Sequence, residues 1–162
     1  MKIILKRPLW FTTITTLCFI AVTLFAATGC DKSKKEDDEP IEIPFTEYSL
    51  FNTGCWWTYV NNPNEIIIIN NKEELEEYIT CGDTNYPVVD FSKHTLLHAC
   101  GGTSNGISNI SKKLQRLSTN EYILNVEITL DAAMVAQGWG FVLITSKLSE
   151  TSSIKLNTTI IK

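Results

Sequence analysis

Apolar and polar positions follow different rhythms in three parts of the chain. Leu9–Phe25 is an uncharged block, Asp31–Pro40 has no apolar residue, and from Phe45 onward the two kinds mix in short segments. The clearest rhythm has period two. Tyr122, Leu124, Val126, Ile128 and Leu130 fall on one face, while Asn125, Glu127 and Thr129 fall on the other, as in a strand with one buried side. Trp56–Val60 is rich in the aromatic and branched residues that favour strands. The turn cluster Asn61–Asn64 follows it, then the apolar run Ile66–Ile69 after Glu65, which suits a strand covered on both faces. These two segments are expected to pair as a hairpin. One helix is predicted between Asn71 and Gly82. Asn71 caps it with Glu74 as the reciprocal partner, Leu75, Tyr78 and Ile79 face the core, and Gly82 stops it.

Beyond the helix lie Val88–Phe91, the apolar segment Thr95–Cys100 and a glycine-rich connection, Gly101–Gly106. Residues 107–117 carry both a helical period and a hairpin context; the turn Ser118–Glu121 and the clear strand after it decide for strand. Two last strands, Gly140–Leu148 and Ser153–Ile161, flank the turn Ser149–Ser152, and Asp131–Gly138 connects to them as a loop. The expected fold class is α+β: a mostly antiparallel β-sheet or small sandwich with one packed helix, spanning residues 45–162.

The 162 residues suffice for one small domain, and ordinary glycine and proline contents exclude collagen-like or wholly disordered chains. The front of the chain changes the picture. Lys2, Lys6 and Arg7 precede the uncharged block, and Ala26–Gly29 are small, the three-part layout of a secretory signal over residues 1–29. Ala27-Thr28-Gly29-Cys30 resembles the lipobox of bacterial lipoproteins, which implies cleavage before Cys30 and acylation of that cysteine with diacylglycerol and a further acyl chain such as palmitate. Two or more chains anchor stably where one does not. An ordinary secreted protein and an uncleaved anchor are the alternatives. Losing residues 1–29 removes three basic groups and no acid, taking the net charge from −4 to −7. So acidic a chain is a poor nucleic-acid binder. Residues 30–44 then read as the lipidated cysteine and a disordered acidic tether. Within it, Lys35–Glu39 resembles the acidic export signal that sends lipoproteins of Bacteroidota to the outer leaflet of the outer membrane, with a plain solvated spacer as the alternative.

With Cys18 in the cleaved segment and Cys30 lipidated, Cys55, Cys81 and Cys100 remain in an oxidising exterior. Cys55 and Cys81 stand beside Gly54 and Gly82 at element ends, where backbones bend and approach, so the expected disulfide is Cys55–Cys81. Cys100 ends an apolar run and reads as a small buried hydrophobe.

No catalytic residue, metal ligand or cofactor site is expected. His94 and His98 have the outer spacing of a zinc-protease helix, but Thr95 stands where the general base belongs. In a strand their rings would lie about 13 Å apart. Cys100 has nothing positive near it to activate the thiol. Asp90 lacks an acid partner and suits a turn cap. Residues 101–106 lack the Gly-Lys-Ser/Thr ending of a phosphate loop. The four glutamates of the helix read as a solvated face. Trp56, Trp57 and Trp139 are candidates for an aromatic sugar platform, although strand geometry sends Trp56 and Trp57 to opposite faces.

The stretch from Ile68-Ile-Asn-Asn-Lys-Glu-Glu-Leu75 to Val89-Asp-Phe-Ser-Lys-His-Thr-Leu-Leu97 resembles the C-terminal domain of PrcB-type lipoproteins, over residues 55–162, with Ile107 where that family's glycine-rich loop often carries an aromatic. The resemblance implies an α+β fold and a non-enzymatic role in binding a surface protein, with no site residues carried over. The functional expectation is a lipid-anchored outer-membrane lipoprotein that binds a protein partner at the cell surface; a glycan-binding module is the alternative.

Overall fold

A computed structural model describes residues 39–58, 64–82 and 85–162. The expected signal segment, Cys30 and the tether up to residue 38 lie outside the described residues, as does most of the turn at 61–64. Ten strands and one helix follow in chain order. They are β1 (Ile41–Glu42), β2 (Phe45–Glu47), β3 (Cys55–Trp57), β4 (Ile66–Ile69), α1 (Lys72–Tyr78), β5 (Ile79–Cys81), β6 (His94–Thr103), β7 (Ile107–Arg116), β8 (Glu121–Leu130), β9 (Gln137–Ser146) and β10 (Ser153–Ile161). Among the described residues the fold is mostly β-sheet with one short helix.

The strands form two four-stranded sheets and a ribbon. Sheet 1 has the order β1-β7-β8-β10, sheet 2 the order β2-β9-β6-β4, and β3 pairs with β5 by itself. Sheet 1 lays Leu114, Tyr122, Leu124, Val126 and Ile128 against Leu97, Ala99, Trp139 and Leu143 of sheet 2. The other face of sheet 2 is also covered: Ile69, Leu96 and Val142 pack with Leu75 of the helix, Ile79 of the ribbon, and Tyr48 and Leu50. Sheet 2 is thus the middle of three layers. That explains why Thr95–Ala99 is buried at every position, whereas β8 buries only alternate residues.

Several expectations change. Residues 41–44, expected to end the disordered tether, belong to the fold. Ile41–Glu42 pair with β7, Ile43 donates to the Leu114 carbonyl (2.9 Å), and Thr145 Oγ1 donates to that of Pro44 (3.1 Å). The short apolar pair Ile41 and Ile43 carries enough β character to add an edge. β3 and β4 do not form a hairpin. β3 pairs with β5 with Cys55 opposite Cys81, and β4 pairs with β6. Ile66 and Ile68 enter one core while Ile67 and Ile69 enter the other, so the run needs a sheet covered on both faces. The helix stops at Tyr78, not Gly82. Ile79 is already extended (φ −120°, ψ 134°) because it starts the ribbon strand. The sheets are mostly antiparallel, as expected, with one parallel pair. Both edges of β9 are taken by β2 and β6, so β10 crosses to the open edge of β8 and runs parallel to it, Ser153 beside Glu121 through Ile161 beside Thr129. Residues 107–116 form the expected strand, with a bulge between Ile107 and Asn109.

The helix cap follows the expected chemistry with one shift. Asn71 Oδ1 accepts from the Glu74 amide (2.8 Å), but the Glu74 carboxylate reaches back to the Asn70 amide (2.7 Å), one residue earlier, and to Asn71 Nδ2 (2.6 Å). Gly101 and Gly102 do not form a loop; they prolong β6, and the turn shrinks to 104–106. A Cβ on Gly101 would collide with the Trp139 ring, so glycine is there to let the indole lie against the backbone.

Candidate functional site

The three tryptophans singled out in the sequence do not converge. Trp139 is 7% exposed, stacks on Phe141 (5.8 Å) and belongs to the core between the sheets. Trp57 packs on the opposite face of sheet 2, 4.9 Å from the His98 ring and 5.8 Å from that of Tyr48. Trp56, next to it on β3, points away and is 57% exposed. The reading of Trp56 and Trp57 on opposite faces holds. A platform including Trp139 does not form, because sheet 2 lies between it and the ribbon.

What remains is a rigidly presented aromatic ribbon. The disulfide Cys55–Cys81 joins directly opposed residues of β3 and β5. Leu50 and Cys55 are buried on either side of the turn 51–54. Inside it, Thr53 donates twice to the Leu50 carbonyl (amide 3.1 Å, hydroxyl 2.6 Å), and Asn52 and Gly54 take positive φ (62° and 69°). With its ends pinned, this tight turn holds Phe51 outward, 82% exposed. Beyond Trp57, Thr58 donates its amide to the Tyr78 carbonyl (2.9 Å) and ties the ribbon to the end of α1.

On the other side of α1 is a groove of about 290 Å³, with Leu75 at its base, Tyr86, Val88 and Phe91 as apolar walls, and Lys72 and Glu76 at the rim. Sequence reading missed it, since Tyr86–Val89 has no periodicity; its signal was an aromatic and two valines in a stretch too short for an element. The segment is held by Tyr48, whose hydroxyl donates to the Pro87 carbonyl (2.8 Å) and is pushed up to about 12 by burial, with Tyr86 adding to the rise. Tyr86 donates to Glu76 (2.9 Å), and Lys72 lies 3.3 Å from the same carboxylate. These two contacts lower the pKa of Glu76, while partial burial and the Glu76 carboxylate raise that of Tyr86. Glu73, Glu76 and Glu77 are exposed along α1, Glu76 at the groove itself.

The remaining candidates stay apart. His98 is 5% exposed on the outer face of sheet 2, covered by Trp57 and Tyr78, and burial lowers its pKa. Its Nδ1 has no hydrogen-bond partner among the described residues. His94 instead sets its Nδ1 3.2 Å from the Asp90 carbonyl oxygen. Among the described residues no group of three potential ligands could hold a metal ion. Cys100, expected to be buried, is a half-buried free thiol near the end of β6. Burial raises its pKa, the opposite of what activates a nucleophile. Asp90 caps the turn before β6, accepting from the Ser92 amide (3.1 Å) and hydroxyl (2.6 Å). With Lys93 alongside, it is held down at about 2.

Fold and site together define a three-layer β protein with an exposed aromatic ribbon clamped by a disulfide beside an acidic helix. No family model, curated protein or solved structure matches the chain. No helix among the described residues is long and apolar enough to cross a membrane.

Proposed function

We propose that this chain is a lipoprotein of the outer membrane, anchored through Cys30 and exposed at the cell surface, whose α+β domain binds another protein without catalysing a reaction. The observation that carries the reading is the pair of large aromatics, Phe51 and Trp56, held out in water on a turn and a strand pinned by the Cys55–Cys81 bridge. Large aromatics presented in a fixed geometry are what binding hot spots are made of, because little side-chain entropy is lost on docking. The exposed glutamates of α1, whose end is tied to the ribbon through Thr58, favour a partner whose apolar pocket has a basic rim. The PrcB-type resemblance points the same way.

The test is cross-linking on intact cells that express the full chain. A single partner should be captured by the native sequence, and Phe51→Ala with Trp56→Ala should reduce its yield at least tenfold while leaving the amount of lipoprotein unchanged. Equal capture by both overturns the ribbon as the binding face. The exposed ring of Trp56 also suits stacking on a sugar. Binding to a glycan array that Trp56→Ala abolishes, with no protein captured, would replace the first reading with the second. Mass spectrometry of the mature chain tests the anchor: acyl chains on Cys30 as the first residue are expected, and an unmodified thiol rules them out.

A further inference from the structure

We propose that β10 is a self-association edge. Two copies of the chain pair their β10 strands antiparallel about Asn157, fusing two copies of sheet 1 into one eight-stranded sheet. This does not depend on the binding role assigned to the ribbon.

Exposed sheet edges invite strand addition, and proteins guard them with short strands, bulges and charge. Most edges here are guarded. At β7 the edge is capped by β1 and broken by the bulge at 107–109, and carries Lys112 and Lys113, paired with Glu47 and Glu42. The edge strands of sheet 2, β2 and β4, have three and four residues. β10 differs. It pairs over nine residues with β8, has no strand among the described residues on its other side, contains no proline or glycine, shows no bulge, and carries one charge, Lys155. β4 approaches it from the other sheet without pairing.

Its sequence suits its own copy. An antiparallel pairing centred on Asn157 engages all nine residues. Facing inward, Ile154 comes opposite Ile160 and Leu156 opposite Thr158; Ile160, 50% exposed in the single chain, gains an apolar neighbour. Facing outward, Lys155 comes opposite Thr159. Thr159 is paired on its far side with Glu127, two strands away at about 4.8 Å each and within reach of a lysine. The strand has no acid of its own, so two acidic molecules meet where neither is negative. An amide ladder already crosses sheet 1. Asn157 Nδ2 donates to Asn125 Oδ1 (2.8 Å), and Asn125 Nδ2 donates to Gln115 Oε1 (3.1 Å). That leaves Asn157 a second N–H and its own oxygen, which the twofold would match reciprocally with the other Asn157. Such an interface is the same patch on both copies and closes at two, so it yields a dimer and not a fibre.

The twofold fixes the test. In the full chain with Cys100→Ser, Asn157→Cys puts two thiols on directly opposed residues, about 5 Å apart between Cα atoms, whereas Lys155→Cys separates them by four residues along the strand. A short bismaleimide should give a species of twice the chain mass with Asn157→Cys at least tenfold more than with Lys155→Cys or Cys100→Ser alone. In a second measurement, differently tagged full chains should co-purify, and Asn157→Asp, which sets two carboxylates face to face on an exposed position, should lower recovery at least tenfold. Equal cross-linking at 155 and 157, or co-purification indifferent to Asn157→Asp, overturns the proposal.

Discussion

His98 shows how one residue can be easy to place and hard to interpret from sequence. Its position in the apolar segment Thr95–Cys100 made a sheet histidine the expected reading, and the structure puts it there, under Trp57 and Tyr78. Not legible was the covering layer, because Trp57 and Tyr78 come from segments 41 and 20 residues away, and the expected Cys55–Cys81 bridge does not by itself say on which sheet face those segments sit. Burial disfavours the charged ring, so the folded pKa lies below the unfolded value near 6.5. Below that value the unfolded chain binds the proton more readily than the folded one, so stability contributed at neutral pH is lost as pH falls from about 6.5 toward the folded pKa. Urea midpoints should therefore decline between pH 7 and pH 5, and His98→Gln should flatten that slope. Asp90, held at about 2, acts in the same direction but only below pH 4, so the two windows separate.

At the scale of elements, periodicity located the long strands and the helix start, and it failed wherever pairing partners are distant. The alternation of β8 needs no context, and neither does the Asn71–Glu74 cap. Asn71→Ala should cost about 1 kcal/mol, read as a lower midpoint in denaturant with an unchanged slope. The end of α1 was misread because Gly82 is a good stop signal, yet Ile79 and Thr80 are branched and the ribbon offers them a strand partner before the glycine is reached. The parallel β8–β10 pair was invisible for another reason: the turn Ser149–Ser152 looks like a hairpin, and only the occupancy of both β9 edges forbids one. Of the candidate site, the opposite facing of Trp56 and Trp57 was legible but not which of them is exposed, and Phe51 and the groove at Tyr86 were not legible, since both rest on segments without a repeating pattern.

For the whole molecule, the disulfide fastens the outer layer and plays no part in pairing the two large sheets. Cys55→Ser with Cys81→Ser should lower unfolding free energy by about 3 kcal/mol, with the loss concentrated in residues 50–82; proteolysis should cut there first and leave β6–β10 intact. Placing sheet 2 between two layers also governs how the sequence can drift. A strand with a wet face, such as β8, can absorb change at every second position. The segment 95–99 has no such slack, for each of its five side chains is enclosed on one side or the other. Across natural variants, substitutions should therefore thin out evenly along that segment, whereas along β8 they should come and go with a beat of two.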